Sequence, residues 1–241
     1  MNIDVIDIAF DVLGDYFALN NSEIDNKNGA IINIGDAKTT IGIFNKGILT
    51  NISNIDLGGA NVDNDISYIY KLPTNVARKL KEEFALAHKR LASQSEDINL
   101  VNKDGESITI NQFEISKVVY SRLNEILSIA KKEINRITKK ELGYLIFTGG
   151  MTEMNDFKLV LEDNFGKSVM IGHLNALGAR NNKYSSALGI IKWYNYIQQL
   201  KDKEYSILSI EEQENFSGIH KQGLANDNSV IGKVFGYFFD N

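Results

Sequence analysis

The chain of 241 residues contains no cysteine, one proline and three histidines, and each shortage removes a class of function. Without cysteine there is neither a disulfide scaffold nor a thiolate metal site, which fits a reducing compartment. His88, His173 and His220 fall at no helical ligand spacing, so no metal site is expected. Basic charge is also short: 26 Lys and Arg stand against 31 Asp and Glu, a net charge of −5. Recognition of a phosphate backbone needs a concentrated basic surface, so no nucleic-acid partner is expected. No apolar run approaches the roughly 18 residues of a spanning helix, and no basic-then-apolar leader opens the chain. What remains is an ordinary composition, 43% apolar and 24% charged, long enough to bury its own core.

Patterning gives alternating strands and helices, hence an α/β layer arrangement. Ile3, Val5 and Ile8 suggest an opening strand, leading into a short helix that ends at Leu19. After the turn-rich NNSEIDNKNG, three β-rich segments follow: one to Asn33, one from Thr39 to Phe44 and one from Ile48 to Ile55. Helices are expected over Asn61–Tyr70 and Thr74–Ala87, parted by Pro73, and then a hairpin around Lys103-Asp104-Gly105. Asn111, three residues before Glu114, reads as the N-cap of the longest helix, with a capping box. Ile115, Val119, Leu123, Ile126 and Ala130 recur at spacings of three and four and predict its buried stripe. Further expectations are a strand Leu145–Phe147, a helix from Glu153 to about Asn164, a strand Val169–Gly172 and a helix from Ser185 to about Gln199.

Two glycine turns point to chemistry: NIGDAKTT between strands, and IFTGGMTEM between a strand and a helix. Glycines at a strand end let a ligand approach the backbone, and a following helix offers free N–H groups. The segments IINIGDAKTTIGIF (31–44), IDLGGANVDNDI (55–66), ARKLKEEFA (77–85), IFTGGMTEMNDF (146–157), FGKSVMIG (165–172) and KYSSALGIIKWY (183–194) occur in an order that resembles the second half of the actin-like ATPases. Within that superfamily they are similar to the bacterial cell-division protein FtsA. The resemblance implies an actin-like, ribonuclease-H-like α/β lobe with an inserted small α+β subdomain. Residues 29–60 plus 140–200 would form the larger nucleotide-binding subdomain and 61–139 the insertion. Residues 1–28 would be the connection from a preceding lobe that has no counterpart here, so half of a two-lobed site is expected.

For that site the resemblance nominates Asn33, Gly35, Lys38 and Thr39 on the phosphate side, and Lys81, Gly149, Gly150 and Met151 on the adenosine side, with ATP and Mg²⁺ as cofactors. The phosphate side departs from the family pattern. Asn33 stands where the family has Asp, Asp36 and Ala37 replace two glycines, and Thr40 replaces the closing Asp. A neutral amide holds Mg²⁺ poorly, and Asp36 adds a negative charge facing a polyanion. A degenerate site without efficient ATP hydrolysis is expected.

Residues 201–228 read as a polar linker. In the last segment Val230, Ile231, Val234, Phe235 and Phe238, flanked by Phe239, line one face of an amphipathic helix, which resembles the membrane-targeting helix of FtsA. Residues 201–241 carry four lysines against seven acids, so lipid binding would rest on apolar burial. The implied role is an adaptor at the division site, peripheral on the cytoplasmic face of the cell membrane. It would bind the C-terminal peptide of the tubulin-like FtsZ through the small subdomain, with Arg122 and Arg78 as candidate contacts, and would self-associate. An active actin- or chaperone-like ATPase and a pilus-assembly actin-like protein are the alternatives.

Overall fold

The computed structural model describes residues 5–19 and 23–201. One compact unit runs through Tyr194; a second begins at Asn195, and of it only residues 195–201 are described. The linker and the terminal segment with Val230, Ile231, Val234, Phe235, Phe238 and Phe239 lie outside the described residues.

Helix α1 (Asp11–Leu19) precedes an antiparallel meander, β1 (Asn28–Ile34), β2 (Thr39–Asn45) and β3 (Ile48–Ile55). Helices α2 (Gly59–Ile69) and α3 (Thr74–Glu83) follow, then the hairpin β4 (Asp97–Val101) and β5 (Ser107–Asn111), and the 26-residue helix α4 (Gln112–Ile137). The chain returns to the sheet as β6 (Tyr144–Thr148), passes through α5 (Phe157–Phe165) to β7 (Met170–Ile171), and ends in α6 (Ser185–Leu200). The five-stranded sheet runs β3-β2-β1-β6-β7, with β6 parallel to β1 and β7 parallel to β6.

The continuous apolar run of β1 is what a strand covered on both faces requires. Ala30, Ile32 and Ile34 join one core cluster with residues of α2, α3, α4 and α5, while Ile31 joins the other with Val12, Tyr16 and Phe44. On the α1 side, α6 comes very close. A Cβ at Gly189 would lie 1.6 Å from the Gly14 carbonyl oxygen, so only glycine permits the contact. That approach carries Ser185 and Ser186, the first residues of α6, to the middle of α1.

The predicted stripe of α4 is buried throughout, and each large side chain contributes about 1.5–3 kcal/mol. Asn111 caps it, accepting the Phe113 N–H at 3.0 Å, but the capping box is not completed. The Glu114 carboxylate turns instead to Lys117 at 2.9 Å.

Three expected boundaries differ. Residues 5–10 form no strand, and Val5, Ile6, Ile8 and Phe10 are exposed, because no strand among the described residues pairs with them. Helix α3 stops at Glu83 rather than Ala87. The Leu86 N–H donates to Ser116 Oγ and the Ala87 N–H to the Asn155 carbonyl, which takes those donors out of a helical ladder. The helix expected from Glu153 begins at Phe157, since Asp156 adopts a left-handed φ of 63° after a single turn of 3₁₀ helix.

Candidate functional site

The turn joining β1 to β2 rests on the start of α2. The Gly35 N–H donates to the Lys38 carbonyl at 3.0 Å, closing the turn. The Gly59 N–H then donates to the Gly35 carbonyl at 2.9 Å and the Ala60 N–H to that of Asp36 at 2.8 Å. These are donors that a helix start would otherwise offer to an anion, and the turn consumes them.

The charges around the turn are paired among themselves. Lys38 Nζ lies 3.0 Å from the Asp11 carboxylate. Both Asp36 oxygens accept from Arg78 Nη2 at 3.0 Å, while Arg78 Nε donates to Asp63 at 2.9 Å. Asp63, fully buried, also lies 2.7 Å from the ammonium of Lys81, which is only 4% exposed. A network thus runs from the turn through Arg78 to a buried ion pair between α2 and α3.

Asn33 at the end of β1 faces the other way. Its amide donates to Asp15 at 2.8 Å and to Ser186 Oγ at 3.1 Å, and Asp15 also accepts from Ser185 at 2.6 Å and Ser186 at 2.8 Å. Burial pushes the Asp15 carboxyl above its usual range, against the lowering effect of these hydrogen bonds. The neutral residue at position 33 therefore has a structural cause: a carboxylate is already present beneath it.

The Asn33 Oδ1 lies under the second glycine turn. Gly149 has φ 94°, and a Cβ there would meet Asn33 Oδ1 at 2.4 Å and the Ile34 carbonyl oxygen at 2.5 Å. A Cβ on Gly150 would touch only Lys183 Cβ, at 3.6 Å. Gly149→Ala is accordingly expected to cost on the order of 1–3 kcal/mol, and Gly150→Ala well under 1 kcal/mol. Urea denaturation of the two variants measures the difference, and equal midpoints would contradict it.

Two adjoining hollows of ≈ 450 Å³ each flank the turn. Gly150, Met151, Lys81, Glu82, Glu153 and Asn181 help to line the first. Asp11, Asn33, Lys38, Thr40, Gly149 and Ser186 help to line the second, and Gly35, Asp36, Gly150 and Lys183 border both. Asn33, Gly35, Lys38, Lys81, Gly149, Gly150 and Met151 are thus brought together. Thr39 is not: it is buried, and its hydroxyl donates to the Leu57 carbonyl at 2.8 Å. Arg78 lies at this cleft rather than on an outer face. Arg122 is clamped by Asp65, at 2.6 and 2.8 Å, and by Glu125. Sequence reasoning missed Asp11, Asp15, Asp63, Ser185 and Ser186. A signal was present for two of them, because Asp15 and Asp63 interrupt the apolar stripes of α1 and α2 next to Tyr16 and Val62.

The residues fit a nucleoside better than a magnesium triphosphate. Gly150 is exposed and borders the first hollow, whereas Gly149 is buried. On the phosphate side Asn33 is neutral and committed to Asp15, and Asp11 and Asp36 are each held by a cation.

A profile of the family described as "Cell division protein FtsA" matches residues 30–189. The FtsA of Bacillus subtilis (strain 168) is 28% identical over 194 residues, which are 79% of this chain and 44% of that protein. The FtsA of Buchnera aphidicola subsp. Baizongia pistaciae is 30% identical over 176 residues, 67% of this chain and 42% of that protein. Among solved structures, MreB5 of Spiroplasma citri bound to AMPPNP superposes with a TM-score of 0.65 at 17% identity, over 80% of this chain and 60% of the other. The fold is therefore that of the actin-like ATPases. The chain spans less than half the length of these two FtsA relatives. With a match across two thirds of its residues, in the order that places both glycine turns at one cleft, the chain belongs to the FtsA family of cell-division proteins.

Proposed function

We propose that the chain serves as a division-site adaptor of the FtsA type, scaffold rather than ATPase. It would bind the C-terminal peptide of FtsZ and hold it at the cytoplasmic face of the membrane. The observation that carries this reading is the internal pairing of the phosphate turn. A family fold whose phosphate-side charges are bound to one another is suited to holding a shape, not to turning over ATP.

An apolar hollow on the insertion supports the peptide contact. Asp65, Tyr68, Ile69, Lys117 and Val118 help to line it, with Tyr68 87% and Ile69 54% exposed. Arg122 stands beside it through its ion pair with Asp65, so it would shape the wall of the groove rather than present an unpaired guanidinium. The membrane contact rests on the apolar pattern of residues 229–241 and on family membership.

One co-sedimentation experiment tests both halves. The 241-residue chain is expected to carry a labelled FtsZ tail peptide into the pellet with phospholipid vesicles. A chain lacking residues 229–241 should bind the peptide in solution but leave it in the supernatant. Absence of a complex at high micromolar peptide would sink the adaptor reading and favour a pilus-type relative with a different peptide. Equal pelleting by both chains would sink the anchor.

A further inference from the structure

We infer that the cleft is specific for a nucleoside without a phosphate chain, and that Asp36 is the residue that sets this preference. The inference rests on the reading of the first hollow as a nucleoside site and goes beyond it by naming the ligand class.

Three observations carry it. First, the Asp36 carboxylate occupies the turn at the border of the two hollows, where the phosphate chain of a nucleotide seated in the first would have to pass into the second. A second anion at that border meets Coulomb repulsion, and the Gly35 N–H of the turn is already given to the Lys38 carbonyl at 3.0 Å. Second, Asp36 already makes the interaction a phosphate would make, since both its oxygens accept from the Arg78 guanidinium at 3.0 Å. The carboxylate thus stands in for the phosphate from within the chain. Third, little remaining positive charge faces the second hollow. Lys38 is bound to Asp11 at 3.0 Å, and Lys183 lies with its ammonium 4.9 Å from the Tyr184 ring centroid. Two carboxylates, Asp11 and Asp36, therefore balance the two lysines that border this hollow.

The base and sugar side carries no such obstruction. Gly150 is exposed there, Met151 supplies an apolar floor, and Glu82 and Glu153 add acceptors for hydroxyl or amino groups. Glu153 already accepts the Asn182 N–H at 2.7 Å, so its carboxylate is held in one orientation. Arg78 and Lys81, which line the same hollow, are paired with Asp36 and Asp63, so Glu82 and Glu153 remain to meet the donors of a neutral nucleoside.

Isothermal titration calorimetry on the 241-residue chain with adenosine, AMP, ADP and ATP, each with and without Mg²⁺, tests the idea. The native chain is expected to bind adenosine at least as tightly as ATP, with affinity falling as phosphates are added. Asp36→Asn keeps the shape of the side chain and removes its charge. It should raise ATP affinity about tenfold or more while leaving adenosine within about twofold of native. Asp36→Gly, which also removes the bulk, should behave alike, and unchanged adenosine binding shows that both variants are folded. ATP binding tighter than adenosine by the native chain overturns the inference. So does ATP affinity unchanged in both variants, and in either case the nucleoside reading of the cleft survives. Binding of none of the four ligands by any of the chains overturns the inference together with that reading.

Discussion

Asn33→Asp, which puts an acid in place of the amide before the β1–β2 turn, is expected to destabilise the chain by about 3–5 kcal/mol at neutral pH. The amide of Asn33 sits 2.8 Å from an Asp15 oxygen, and Asp15 is fully buried. An aspartate at 33 would set two carboxylates against each other where the native chain has a donor and an acceptor. One must stay protonated, or the turn must move. The pH dependence gives an independent check. Burial raises the Asp15 carboxyl above its ordinary 3.8, so over the window from that value up to the raised one the folded chain holds a proton that the unfolded chain has lost. Stability from this group is fully present below the ordinary value and is lost as pH rises through the folded one. A second carboxyl at 33 adds a titration of the same sign. The deficit of the variant, measured by urea denaturation at several pH values, should therefore shrink as pH falls. The exchanged pair Asp15→Asn/Asn33→Asp, with donor and acceptor swapped, should recover most of the loss. A single variant as stable as the native chain at pH 7 would refute the account.

Lys81→Met should cost about 3 kcal/mol, because Lys81 is one half of a buried ion pair. Its ammonium is 4% exposed and lies 2.7 Å from a fully buried Asp63. Methionine keeps the length and apolar bulk of the stem but leaves the carboxylate with Arg78 alone. Removing both charges together, as Asp63→Leu/Lys81→Met, should cost less than the single change, because a buried pair replaced by apolar groups of similar volume loses little. Chemical denaturation of the single and double variants decides it. A double variant less stable than Lys81→Met would show that the pair contributes more than mutual neutralisation.

The elements that were legible in the sequence are those whose signal is local. The stripe from Ile115 to Ala130 fixes α4, and Lys103-Asp104-Gly105 fixes the β4–β5 hairpin, because every residue involved lies within a few turns of the others. Gly149 was legible as a turn, since a strand that ends in two glycines breaks there, and its φ of 94° is one that glycine favours. The chemistry of the cleft was legible only in outline. Asp15 meets Ser185 across 170 residues, and Asp36 meets Arg78 across 42, so nothing in the local pattern of either carboxylate names its partner. The expected opening strand was misread for the same reason in reverse. Val5 and Ile8 have the spacing of a strand, but an edge-on neighbour is what makes one, and the described residues supply none.

The way the β1–β2 turn rests on α2 makes that helix a coupling rod. At its first turn it is pinned to the carbonyls of Gly35 and Asp36; two turns later its Asp65 grips Arg122 on α4. The span between the two grips is about 9 Å at 1.5 Å per residue, too short for a helix to bend appreciably. A ligand that displaces the turn must break two backbone hydrogen bonds or carry α2 with it, and a peptide that shifts α4 pulls on the same helix from the other end. Any such linkage is reciprocal, so a peptide that tightens the cleft for its small ligand is itself tightened by that ligand, by the same factor.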